Sequence, residues 1–179
     1  MKSTHAFLAT TLTVVLAISS LGATAHAETI VNLSNMHLCC GACVKGVTSA
    51  IDSVDGASVK VQQDANSATI TAGDAATAQK ALDALAAAGF HGKSDSKEVK
   101  MKDNSGVKAG KVQRLELVGV HNCCGGCNKA VKAAIASVDG VVADTAKAKS
   151  DTVVIEGDFD GQAVVKALLK AGFHVTAKK

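Results

Sequence analysis

One pattern written twice constrains this chain more than any other feature. His37, Cys39, Cys40, Gly41 and Cys43 recur as His121, Cys123, Cys124, Gly125 and Cys127, each 84 residues later, and the two clusters hold all six cysteines. Ser53, Val54, Asp55 and Gly56 recur at the same offset as Ser137, Val138, Asp139 and Gly140, and Gly73 with Asp74 as Gly157 with Asp158. After a one-residue gap, Gly89, Phe90 and His91 match Gly172, Phe173 and His174. The chain is one module used twice. Each copy spans roughly 65 residues, a size at which independent folding is possible but marginal.

The start of the chain stands outside the repeat. Met1 to Ala27 carries Lys2, an apolar run from Phe7 to Leu21, and the small residues Ala25 and Ala27 around His26. This predicts a signal peptide over 1–27, with cleavage before Glu28 and a periplasmic or secreted product. No later stretch approaches the ~18 consecutive apolar residues of a membrane span, and no cysteine near the cleavage point invites a lipid, so no membrane anchor is expected.

Without Lys2 the chain has 18 basic and 16 acidic residues, and its aromatic residues are four Phe with no Tyr or Trp. Such a chain offers neither a phosphate-binding stripe nor a stacking platform for bases, which argues against nucleic acid as a partner.

Within each copy the pattern reads strand, helix, strand, strand, helix, short strand. The first strands are expected over Thr29 to Leu33 and Val112 to Val118. Helices follow the last cysteines, because Val47, Ala50, Ile51 and Val54 keep helical spacing, as do Val131, Ala134, Ile135 and Val138. Strand pairs follow at Ala57 to Gln62 with Ser67 to Thr71, and at Val141 to Thr145 with Thr152 to Glu156. Second helices carry Leu82 and Leu85, and Val164, Val165, Leu168 and Leu169, with Gly89 and Gly172 as their caps. The lysine, serine and glycine of 96–111 show no hydrophobic period and predict a flexible linker between domains at 28–95 and 112–179.

The clusters carry the chemistry. A CxxC pair where a loop becomes a helix can turn both sulfurs to one point above the helix N-terminus, where backbone amides and the helix dipole favour thiolate, the metal-binding form. Cys40 with Cys43 and Cys124 with Cys127 are the first expected ligands. Cys39 and Cys123 add a third sulfur, suiting trigonal Cu(I) or Hg(II), and His37 or His121 would complete a Cys3His set for Zn(II). For both histidines, orientation of the loop by a backbone hydrogen bond is an equal alternative. His91 and His174 are expected to be solvent exposed and Phe90 and Phe173 to be core residues shielding the site.

A disulfide is the plainer reading of CxxC in an exported chain, and it would use Cys40 with Cys43, since adjacent Cys39 and Cys40 are too close for ordinary geometry. A thiol-disulfide redox protein is the alternative from another class. The absence of any proline, including the cis proline that faces a thioredoxin disulfide, and the order of elements weigh against it.

Cys40, Cys43, Val47 and Gly56, and again Cys124, Cys127, Val131 and Gly140, make each copy resemble the heavy-metal-associated domain family of copper chaperones and periplasmic mercury-binding proteins. The resemblance implies an α+β chain of two tandem ferredoxin-like βαββαβ domains, each an antiparallel sheet with two helices on one face. It implies a non-enzymatic protein that binds and transfers or sequesters a heavy-metal ion, Cu(I) first and Zn(II) or Hg(II) next. Expected partners are the ion and a metal-transporting membrane protein or another metal-handling protein. The chain departs from the family's usual Gly, Met, Thr before the first cysteine, having His37, Leu38, Cys39 and His121, Asn122, Cys123.

Overall fold

A computed structural model describes residues 27–179. The predicted signal peptide thus lies outside the described residues, apart from Ala27 at its boundary. The first copy comprises β1 (Thr29–Ser34), α1 (Gly41–Asp52), β2 (Ala57–Gln62), β3 (Ser67–Ala72), α2 (Ala75–Ala87) and β4 (Lys93–Ser94). The second repeats it as β5 (Lys111–Val118), α3 (Gly125–Ala136), β6 (Val141–Asp144), β7 (Val153–Asp160), α4 (Gly161–Lys170) and β8 (Thr176–Ala177). Both sheets are antiparallel, in the orders β2-β3-β1-β4 and β6-β7-β5-β8, so the chain is a pair of ferredoxin-like α+β units.

Alternation and helical period explain these elements directly. Val31 and Leu33 of β1 and Ala68, Ile70 and Ala72 of β3 are buried while their neighbours are not, as a sheet with one covered face requires. Val47 and Ile51 of α1, and Val131 and Ile135 of α3, are fully buried one turn apart. Asp74 and Asp160 cap α2 and α4 by accepting the N–H of Thr77 at 2.6 Å and of Ala163 at 2.8 Å. α1 and α3 begin directly after Cys40 and Cys124, one turn earlier than expected, and so take the last cysteine of each cluster into the helix. β7 runs on to Asp160, past the expected end at Glu156.

The C-terminal ends of α2 and α4 join the two halves. Gly89 and Gly172 adopt φ of +82° and +89°, and the N–H of Phe90 reaches Leu85 O while that of Phe173 reaches Leu168 O, each at 3.0 Å. These are Schellman closures. The exiting strands then pair with each other: His91 N–H donates to Gly172 O at 3.0 Å, His174 N–H to Gly89 O at 2.9 Å, and Phe90 lies opposite Phe173. A Cβ on Gly89 would lie 2.2 Å from Gly119 O, and one on Gly172 would lie 2.4 Å from His37 N, so each glycine sits hard against the cysteine loop of the other copy. One buried core consequently runs through both halves.

The segment 96–111 is packed, contrary to its reading as a free linker. Val99 and Ser105 are buried, Gln79 of α2 exchanges hydrogen bonds with the backbone of Lys100 at 3.0 and 3.2 Å, Ala177 of β8 donates to Ser105 O at 2.7 Å, and Gly110 donates to Asp160 at 3.0 Å. Its fastening uses backbone groups and isolated side chains, which leave no hydrophobic period to read.

Candidate metal centre

Placed back to back across this seam, the two cysteine loops bring all six sulfurs together. Cys39 Sγ lies 3.4 Å from both Cys124 Sγ and Cys127 Sγ, Cys40 Sγ lies 3.7 Å from Cys123 Sγ, and Cys43 Sγ lies 3.8 Å from Cys123 Sγ and 3.7 Å from Cys127 Sγ. Within the copies, Cys40 and Cys43 are 3.9 Å apart, as are Cys124 and Cys127, and the pairs Cys39 with Cys43 and Cys123 with Cys127 lie at 3.8 and 3.6 Å. More of these approaches cross between copies than stay within one. The six thiols form one composite site, and all are free.

Burial grades the cluster from a dry floor to an open rim. Cys43 and Cys127, on the first turns of α1 and α3, are buried; Cys40, Cys123 and Cys124 are half-buried; Cys39 is exposed. Leu38, 2% exposed, anchors the first loop in the core. In the second loop Asn122 holds the same place by hydrogen bonds from its Nδ2 to Asn128 Oδ1 at 3.1 Å and Lys147 O at 3.0 Å.

The electrostatics are uneven in a way the sequence did not disclose. Cys40 and Cys124 are the N-caps of α1 and α3, whose first turns carry no acidic residue. Neither closes a short cap hydrogen bond, yet the backbone N–H of Cys43 holds the Cys40 thiol below its ordinary range, and the N–H of Cys127, with the Cys39 thiol, brings Cys124 down to about 6. Burial acts oppositely elsewhere. It pushes Cys123 up to about 12 and raises Cys39 and Cys127 as well. The expected thiolate stabilisation is therefore found at Cys40 and Cys124, the first cysteine of each CxxC, and is reversed at Cys127.

The histidines extend the site across the seam. His37 offers a ring nitrogen within 4.8 Å of the sulfurs of Cys39 and Cys127, and His121 does so for Cys43, Cys123 and Cys127. Nε2 of both rings is buried without a partner, and burial keeps both below their ordinary pKa, in the neutral form that can ligate. Phe90 stacks on His121 with ring centroids 4.1 Å apart, and Phe173 meets His37 at 4.6 Å, each aromatic shielding the loop of the opposite copy. His174, expected at the surface, is 2% exposed: its backbone N–H pairs with Gly89 O and its Nε2 shares a hydrogen bond with Asn104 Oδ1 of the 96–111 segment at 2.5 Å. His91 is half-buried beside it, with ring centroids 6.0 Å apart, and neither belongs to the thiol cluster.

Every sulfur of the cluster is legible in the sequence, whereas the seam residues Gly89 and Gly172 read there as helix caps and not as contacts between copies. Their repetition as Gly-Phe-His was the available signal.

A comparison with curated proteins finds no match. Among solved structures, oxidized MerP from Ralstonia metallidurans CH34 is similar at 27% identity over 37% of this chain and 97% of its own, with a TM-score of 0.35. The N-terminal soluble domains of Bacillus subtilis CopA are similar at 14% identity over 86% of this chain and 95% of theirs, with a TM-score of 0.31. Residues 117–174, which hold the second cysteine cluster, match the family model of the heavy-metal-associated domain.

Proposed function

We propose that this chain is an exported carrier that binds a soft metal ion, Cu(I) before others, and passes it on or sequesters it by thiolate exchange, without catalysing a reaction. The observation that carries this reading is the single network of six sulfurs at 3.4 to 3.9 Å, built by two copies of one loop, one of which lies in the region matching a heavy-metal-associated domain. Clustered thiolate selects Cu(I) and other soft ions over hard ones. The graded burial suits transfer: exposed Cys39 and half-buried Cys40 and Cys124 present sulfur to an incoming ligand, while Cys43 and Cys127 hold the ion from below. An apolar core that does not depend on the metal lets the site fill and empty without unfolding. The donor and acceptor in such an exchange would be a metal-transporting membrane protein or another metal-handling protein. Export rests on the signal pattern of 1–27; no helix among the described residues is long and apolar enough to cross a membrane.

Zn(II) has one observation in its favour, the grouping of Cys43, Cys123, Cys127 and His121 as a Cys3His set. Competition separates the readings. The reduced full chain, titrated with Cu(I) or Zn(II) against a chelator of each, is expected to keep Cu(I) at chelator concentrations that strip Zn(II). Retention of Zn(II) alone would move the assignment to zinc, and retention of neither, with ready disulfide formation on mild oxidation, would move it to thiol redox chemistry.

A further inference from the structure

Each cluster contains one cysteine more than a CxxC pair, and the structure shows what the extra one faces. Cys40 and Cys124 have extended backbone, with φ and ψ of −159° and 170° and of −150° and 177°. Successive side chains along extended chain diverge to opposite sides, so the preceding cysteine is turned away from its own neighbour. No sulfur approach of the kind described above joins Cys39 to Cys40 or Cys123 to Cys124 among the described residues. Cys123 instead closes a triangle with Cys40 and Cys43 of the other copy, with edges of 3.7, 3.8 and 3.9 Å. Cys39 closes one with Cys124 and Cys127, with edges of 3.4, 3.4 and 3.9 Å.

These two triangles share no sulfur and use all six. The centre of each lies about 2.1 to 2.2 Å from its three sulfurs, close to the ~2.3 Å of a thiolate bond to a filled-shell metal ion. Both histidines stand at sulfurs of the two copies together, His121 grouping with Cys43, Cys123 and Cys127, and His37 with Cys39 and Cys127. Triads drawn within one copy lack the third edge.

We propose that the chain holds two soft metal ions in two crossed three-sulfur sites, one of Cys40, Cys43 and Cys123 and the other of Cys124, Cys127 and Cys39, the first cysteine of each cluster serving the opposite copy. The inference rests on the metal-binding reading above and adds stoichiometry and ligand sets to it. Crossing makes the two sites interdependent, because neither reaches three sulfurs unless the seam is closed. A partner that pried the halves apart would leave each ion on a two-sulfur CxxC pair, ready for exchange.

The test uses paired triple variants of the reduced full chain that each leave a single triad of thiols, because any variant keeping Cys43 and Cys127 with Cys39 or Cys123 retains another closed triangle, with edges of 3.4 to 3.8 Å. C39S/C124S/C127S leaves the crossed triad of Cys40, Cys43 and Cys123, whereas C123S/C124S/C127S leaves the uncrossed triad of Cys39, Cys40 and Cys43. Chelator competition is expected to show the first holding one Cu(I) at least about tenfold more tightly than the second, since even losing the partner of a ligand costs ~10-fold or more. The mirror variant C40S/C43S/C123S, which leaves Cys39, Cys124 and Cys127, should likewise be tighter than C39S/C40S/C43S, which leaves Cys123, Cys124 and Cys127. The opposite ranking, or equality, with Cu(I) still retained by the unsubstituted chain, would overturn the crossing alone. Failure of the unsubstituted chain to retain Cu(I) would overturn the metal-binding reading and the crossing with it. X-ray absorption of the loaded unsubstituted chain tests the proposal without substitution: two copper ions with three sulfurs each are expected, and two sulfurs per copper would refute it.

Discussion

Leu38 and Asn122 occupy matching places in the two cysteine loops and fasten them by different physics. Leu38 contributes buried apolar surface, so Leu38→Ala should cost about 2–5 kcal/mol in thermal or urea unfolding, whereas Leu38→Met, which keeps the volume, should cost under about 1.5 kcal/mol. Asn122 contributes two hydrogen bonds from an amide that is 5% exposed. An asparagine in a place expected to be apolar becomes intelligible only once its partners Asn128 and Lys147 are placed. His91 is informative in another way. Burial first, and the His174 ring beside it second, lower its pKa from 6.5 to about 4, while Asp103 pulls in the opposite direction. The folded chain thus keeps His91 neutral where the unfolded chain would take up a proton. Stability that is complete above pH 6.5 should fall as the pH is lowered toward 4, where the contribution is exhausted. Melting temperatures recorded across that window should fall with pH, and less steeply for His91→Gln. A flat profile for the unsubstituted chain would show that the ring charges freely in the fold.

At the scale of elements, the sequence is most legible where a period repeats. The α1 and α3 stripes of Val47 with Ile51 and Val131 with Ile135 are the expected ones, and β2 runs over Ala57–Gln62 as read. α2 depends on its cap as well as its stripe. Asp74→Ala removes the acceptor of the Thr77 N–H and should lower stability by about 1 kcal/mol, measurable by thermal melting, with Asp74→Asn largely restoring it. Helix starts were less legible, because Cys40 and Cys124 are unusual caps and the sequence advertises them as ligands first. The 96–111 segment was illegible for a different reason: Gln79 to Lys100 and Ala177 to Ser105 are single contacts to a chain without regular secondary structure.

The relation between the two copies decides how the six thiols are shared, and it is the part that repetition in one dimension does not encode. Matching clusters 84 residues apart are compatible with two separate sites or with one shared site. The choice is made by Gly89 and Gly172, whose left-handed backbone and missing Cβ let each helix end press on the opposite loop. Gly89→Ala carries about 1–2 kcal/mol of left-handed strain before the collision with Gly119 O is counted, and it should open the seam and weaken Cu(I) retention while leaving each half folded by circular dichroism. The shared site can be observed most directly by nuclear Overhauser effects in the reduced full chain. With four Phe and no Tyr or Trp, the aromatic spectrum is sparse. Cross-peaks are expected between the rings of Phe90 and His121 and between those of Phe173 and His37, set by centroid distances of 4.1 and 4.6 Å. Spectra in which each half shows only its own contacts, with these cross-peaks missing, would contradict the shared site.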